Sequence, residues 1–215
     1  MAQIFSPRTD RLVRLVAVVA IVAVVAAVWA ILAWRSAPQF TGVGVERPQP
    51  VRFSHELHAG RLGIDCRYCH TGVERTAVAA LPTTETCMTC HSQVWQGAPS
   101  LAPVQESYDS GEPLVWSRIH RLPDHSRFHH GVHVTSGVAC EDCHGRVDEM
   151  HTTTKVENMT MAWCLDCHRA PEDHLRPPEG VFAFGWDAPA PEGEDLVEAY
   201  GIDADRLTDC AICHY

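Results

Sequence analysis

Residues 53–70 read FSHELHAGRLGIDCRYCH, and residues 128–144 read FHHGVHVTSGVACEDCH. Both have the form F-x-H-x-x-H, a short spacer, then C-x-x-C-H. Each is followed by a second C-x-x-C-H, at Cys87, Cys90 and His91 after the first and at Cys164, Cys167 and His168 after the second. A fifth motif, Cys210, Cys213 and His214, stands alone at the carboxyl end. The chain is therefore an internal repeat of two two-motif modules with one motif added.

The ten cysteines are all used in this way: Cys66, Cys69, Cys87, Cys90, Cys140, Cys143, Cys164, Cys167, Cys210 and Cys213. None is left over for a disulfide. C-x-x-C-H is the attachment pattern of c-type haem, in which the two thiols bond covalently to the porphyrin and the histidine ligates the iron. His70, His91, His144, His168 and His214 are the expected proximal ligands, for five c-type haems. Zinc is the competing reading, because 17 residues separate Cys69 from Cys87 and 20 separate Cys143 from Cys164, both within a four-cysteine zinc spacing. Against it, the fifth pair has no partner, and histidine follows all five pairs, which chance gives on the order of one time in a million.

Iron held by one imidazole has a sixth position, and a second imidazole or a methionine there makes an electron-transferring centre. Nine histidines lie outside the motifs. The two F-x-H-x-x-H segments supply His55, His58, His130 and His133. Histidines three apart share one side of a helical turn and can point to different haems. His120, in Trp116-Ser-Arg-Ile-His120, is the expected fifth distal ligand. His125, His129, His151 and His174 read as surface residues. Methionine at one site, from Met150, Met159 or Met161, stays open.

Residues 15–34 carry no charge and are nearly all Val, Ala, Ile or Leu, long enough to cross a bilayer. A cleaved signal peptide has a shorter apolar region. Arg8, Arg11 and Arg14 precede the span and Arg35 follows it, which puts residues 1–14 in the cytoplasm and the remainder in the periplasm. Residues 35–50 read as a linker, with Pro38, Pro48, Pro50, Gly42 and Gly44. Residues 51–215 then form a haem domain. About 36 residues per motif are available outside the span, too few for a protein core around each cofactor. The expected fold is mostly irregular with short α-helices, packed around haems, plus one amino-terminal transmembrane helix. The net charge of −10, from 27 acids and 17 bases, argues against nucleic acid as a partner.

The F-x-H-x-x-H leaders with paired C-x-x-C-H motifs resemble the cytochrome c3/c7 superfamily. The segments FSHELHAGRLGIDCRYCHTGVERTA, TCMTCHSQVW, WSRIHRLPDH, FHHGVHVTSGVACEDCHGRVDEM and MAWCLDCHRAPEDHLRP, with LTDCAICHY at the end, are similar to ActA-type pentahaem cytochromes. Those are subunits of alternative complex III, a bacterial quinol oxidoreductase. The resemblance spans residues 50–177 and the last motif. It implies a relay subunit, with no catalytic residues of its own. Its implied partners are an iron–sulfur subunit, polytopic quinol-binding subunits and a monohaem cytochrome c. Members of that family carry other residues at the positions of His125 and His129. Residues 178–209 match less well and are acidic, either a docking face for a basic partner or a solvated loop.

Two further readings compete. A stand-alone quinol dehydrogenase of the NapC/NrfH type shares the single anchor but usually has four haems. A multihaem reductase needs one open iron face, and here every motif ends in histidine with other histidines to spare.

Overall fold

The computed structural model describes residues 6–187 and 193–215. Met1, whose cytoplasmic side was inferred from flanking charge, and Glu192 of the acidic segment lie outside those residues. The chain divides into two units, one ending at Gly42 and the other running from Val43 to Tyr215.

The first unit is dominated by α1 (Pro7–Arg35). The helix starts eight residues before the apolar run because local chemistry favours it there. The Ser6 hydroxyl accepts from the Thr9 N–H at 3.2 Å, Pro7 occupies the first turn, and Asp10 pairs with Arg14 at 2.9 Å. Mean hydropathy reaches 3.1 in its most apolar window, and no side chain of α1 is buried within the protein. Such a surface needs an apolar surrounding. One more turn, α2 (Pro38–Thr41), ends at Gly42 in the left-handed conformation.

The second unit has no β-strand among the described residues. It contains isolated bridges at Val43–Lys155, Ser126–His214 and Val138–Leu175. Its helices are short: α3 (Cys66–Cys69), α4 (Thr84–His91), α5 (Ala102–Ser110), α6 (His130–Thr135), α7 (Cys140–His144), α8 (Met161–Arg169), α9 (Gly193–Ala199) and α10 (Cys210–Cys213). A turn of π-helix covers Glu56–Arg61. Five of these helices, α3, α4, α7, α8 and α10, each carry a C-x-x-C motif. Asp65 accepts from the Arg67 N–H before α3, and Thr160 accepts from the Trp163 N–H before α8.

The core is sparse. Its buried apolar side chains among the described residues are Val51, Val73, Val104, Ala139, Leu175, Val181 and Leu196. No large side chain among the described residues is less than 2% exposed. Seven small or medium aliphatic groups are far below what a protein of this length normally buries. The fold is therefore held by something besides protein–protein apolar contact.

One close approach ties the two modules together. Gly60, in the π-helical turn of the first leader, runs against the 3-10 turn at Val147–Glu149, which follows the third motif. A Cβ at position 60 would stand 2.1 Å from the Asp148 carbonyl oxygen. Gly60→Ala should therefore force the two backbones apart and cost about 1–3 kcal/mol. The check is the thermal midpoint of the purified protein, and an unchanged midpoint would contradict the contact.

Candidate metal centres

The motif helices expose their histidines in a common way. In α3 the His70 N–H closes the turn on the Cys66 carbonyl at 2.8 Å, and in α10 the His214 N–H does the same on Cys210 at 2.9 Å. The Nδ1–H of His70 donates to the Ala80 carbonyl at 2.7 Å, that of His91 to Val94 at 3.1 Å, and that of His168 to Leu207 at 2.8 Å. Carbonyls only accept, so each bond fixes the tautomer and leaves the Nε2 lone pair for a metal.

The leader histidines are prepared in the same manner. His58 Nδ1–H donates to Ser54 at 2.9 Å, His130 to Ala77 at 2.8 Å, and His133 to His129 at 3.0 Å, all to carbonyls. His55 shares a hydrogen bond with the Thr153 hydroxyl at 2.8 Å. Burial, then His70 and His58, pushes His55 down to about 4. Burial, then His120 and His130, pushes His144 down to about 3. Burial also lowers His133. Imidazoles held neutral are the form a metal ion takes.

Each motif histidine faces another histidine, and His144 has two such neighbours, His130 and His120. The ring centroids are 6.5 Å apart for His55 and His70, 6.2 Å for His58 and His91, and 6.3 Å for His130 and His144. They are 6.1 Å apart for His133 and His168 and 5.7 Å for His125 and His214. Two imidazoles on opposite faces of one metal, with bonds of about 2 Å and about 1 Å from nitrogen to ring centre, come to about 6 Å. The residues present fit iron in a porphyrin at every motif. They fit zinc poorly, since no group of three or more His, Cys, Asp or Glu side chains among the described residues is gathered as a zinc site needs.

The four leader histidines thus stand opposite His70, His91, His144 and His168. The fifth pairing departs from expectation. His120 does not face His214; its ring lies edge-on to His144, with centroids 4.4 Å apart and planes at 82°. His125, expected as a surface residue, is exposed yet faces His214 with planes at 17°. The cause is local pairing: Ser126 bridges to His214, Arg127 N–H donates to the Cys213 carbonyl at 2.7 Å, and the Arg127 guanidinium covers the Tyr215 ring at 4.4 Å. His129 also has a task that sequence reading missed. Its Nδ1 accepts from the Val132 N–H at 3.3 Å and caps α6, the helix that carries His130 and His133.

The motifs follow one another in space in an order different from the chain. The 55/58 turn joins the first and second. Ala77 and Ala80, three residues apart, accept from His130 and His70 and so join the first to the third. The 130/133 turn joins the third and fourth. Leu207, three residues before Cys210, accepts from His168 and joins the fourth to the fifth. Beside His91, a cavity of about 730 Å³ is lined by Met88, Trp95, Leu101, Ala102 and Gln105, large enough for a porphyrin.

Residues 126–215 match the family described as cytochrome c7 and related cytochrome c, and residues 34–109 match the class III cytochrome c family. The menaquinone reductase multiheme cytochrome c subunit of Nitratidesulfovibrio vulgaris is 34% identical over 166 residues, spanning 67% of this chain and 78% of that protein. This chain is a multihaem cytochrome c of the c3/c7 type. Its cofactor is accordingly c-type haem, and electron transfer is its activity.

The third motif of this multihaem cytochrome carries an ion-pair network. Arg176 donates to Glu141 at 2.6 Å and to Asp142 at 3.1 Å, with the three side chains 16%, 13% and 24% exposed. Asp142 also accepts the Ala139 N–H at 3.1 Å, just before α7. Burial raises Asp142, and Arg176 opposes that rise. Described residues of the acidic segment pack onto this region: Val181 accepts from the Cys140 N–H, Gly185 N–H donates to Glu141, and the Tyr200 hydroxyl donates to the Arg176 carbonyl. Arg176→Met leaves two half-shielded carboxylates without their cation and should cost about 3 kcal/mol. Thermal denaturation of the holoprotein checks this; loss of less than a few degrees in midpoint would mean that the network is solvated.

Proposed function

We propose that this chain is the membrane-anchored pentahaem relay of a quinol oxidoreductase of the alternative complex III type. The observation that carries the reading is the set of five histidine pairs, each at the separation of two imidazoles on one iron. Bound haem supplies a one-electron couple at each pair. The protein's residues hold both axial positions closed, which suits relay and leaves no open face for a reductase. His55, His58, His130, His133 and His125 are the distal ligands in this reading, and His70, His91, His144, His168 and His214 the proximal ones. Every motif histidine then has an imidazole partner, so Met150, Met159 and Met161 are not required as ligands.

The spatial order second, first, third, fourth, fifth makes the second and fifth motifs the ends of the relay. α1 is the membrane anchor, with the domain from Val43 onward on the periplasmic side. The partners are an iron–sulfur subunit, polytopic quinol-binding subunits and a monohaem cytochrome c. The relative's description as a menaquinone reductase subunit favours a second reading, in which electrons run toward menaquinone. The relay serves either direction.

Two experiments test this. In the first, His125→Ala should leave about one haem in five high-spin and able to bind an added ligand, whereas His120→Ala leaves all low-spin. The reverse result would restore His120 as the fifth ligand. In the second, the protein is purified from its native membrane in mild detergent and its companions identified. Co-purification with polytopic and iron–sulfur subunits, and reduction of the haems by added quinol, supports the quinol-oxidising complex. Reduction by quinol with no companion subunit favours the stand-alone dehydrogenase. Menaquinone reduction driven by a cytochrome donor, without quinol oxidation, favours the second reading.

A further inference from the structure

Two buried side-chain nitrogens among the described residues have no hydrogen-bond partner: Nε2 of His120 and Nε1 of Trp186. A buried donor without a partner is unusual, because its lost hydration is not repaid. Both flank the third motif. His120 lies edge-on to His144, the last residue of that motif. Trp186 packs on Gly180, where a Cβ would stand 3.0 Å from its Cε2. Its neighbours in sequence grip the same helix, through Val181 to Cys140 and Gly185 to Glu141.

An indole nitrogen only donates. The unpartnered Nε2 of His120 is able to donate in the matching tautomer of a neutral imidazole, and it does so equally in the protonated ring. What both lack is an acceptor. A haem attached at Cys140 and Cys143 brings two carboxylates, its propionates, and these are the acceptors absent from the protein itself. We propose that His120 and Trp186 bind the propionates of the haem at the third motif through their ring N–H groups. His120 is thus a positioning residue for that haem and not an axial ligand. A donor on a propionate spreads its negative charge, and without it the ferric state gains stability. Removing either donor therefore lowers that haem's midpoint potential.

This inference rests on the haem reading of the motifs, and the two fail separately. Haem content and the low-spin spectrum of the unaltered holoprotein test the haem reading first. Mass spectrometry of proteolytic peptides showing Cys140 and Cys143 without an attached haem would end both. With haem in place, His120→Leu and Trp186→Phe holoproteins are compared by spectroelectrochemical titration and by the propionate bending bands in resonance Raman spectra. The expected result is a downward shift in one haem's potential and a moved propionate band in each variant, with the other haems unchanged. His120→Gln, which keeps an N–H at a similar reach, should return both readouts toward the unaltered protein. Should His120→Leu fail to assemble, Trp186→Phe and His120→Gln still decide the matter by the same band. Unchanged potentials and bands in the variants would overturn the proposal, since water would then be the partner of these nitrogens.

Discussion

In the proposed relay, two imidazoles stand about 6 Å apart at each C-x-x-C-H motif, the span of two rings on one iron. The rest of the structure depends on it. With seven buried aliphatic side chains among the described residues, protein–protein contact does not account for the fold. In the proposed relay, porphyrin faces would supply the missing apolar surface, and thioether bonds and histidine ligands would supply the connections that strands and long helices supply elsewhere. The irregular backbone follows, because a segment that is pinned at a haem does not need to be a regular element to be placed.

The same constraint explains why the leaders work as turns. A π-helical turn at Glu56–Arg61 and an α-helical one at His130–Thr135 both present histidines three apart, toward different motif partners. One turn thereby fixes two centres relative to each other. The carbonyls that accept from the imidazoles do a second job of the same kind, since Ala77 and Ala80 link the first and third motifs and Leu207 links the fourth and fifth. In the proposed relay, neighbouring haems are held by shared backbone, so their separations are insensitive to loop motion elsewhere. The order of centres in space is then a property of these short links and not of the order in the chain.

Much of this was legible in the sequence because the chemistry is local. C-x-x-C-H fixes thiols and imidazole within five residues, and F-x-H-x-x-H fixes two more imidazoles within six, so neither needs long-range information. The scarcity of regular structure was legible from the ratio of residues to motifs. The histidine that stands opposite His214 was not. The last motif has no leader of its own, and both His120 and His125 lie between the modules with nothing in the local pattern to rank them. What separates them is the bridge from Ser126 to His214, a contact across 88 residues that no periodicity announces. His129 was hidden for a related reason, since a histidine serving as a helix cap looks like any other polar residue before a turn. The packing of Val181, Leu196 and Tyr200 was hidden by the acidic composition of the segment around them.

The central claim is that facing imidazoles close both axial positions of every haem. Near-infrared magnetic circular dichroism of the fully oxidised holoprotein tests it most directly, because the charge-transfer band of low-spin ferric haem moves with the identity of the axial pair. The account predicts bands of the bis-imidazole type for all of the haem, with an intensity matching the haem content. A band of the histidine–methionine type, or a high-spin fraction in the unaltered protein, would contradict it.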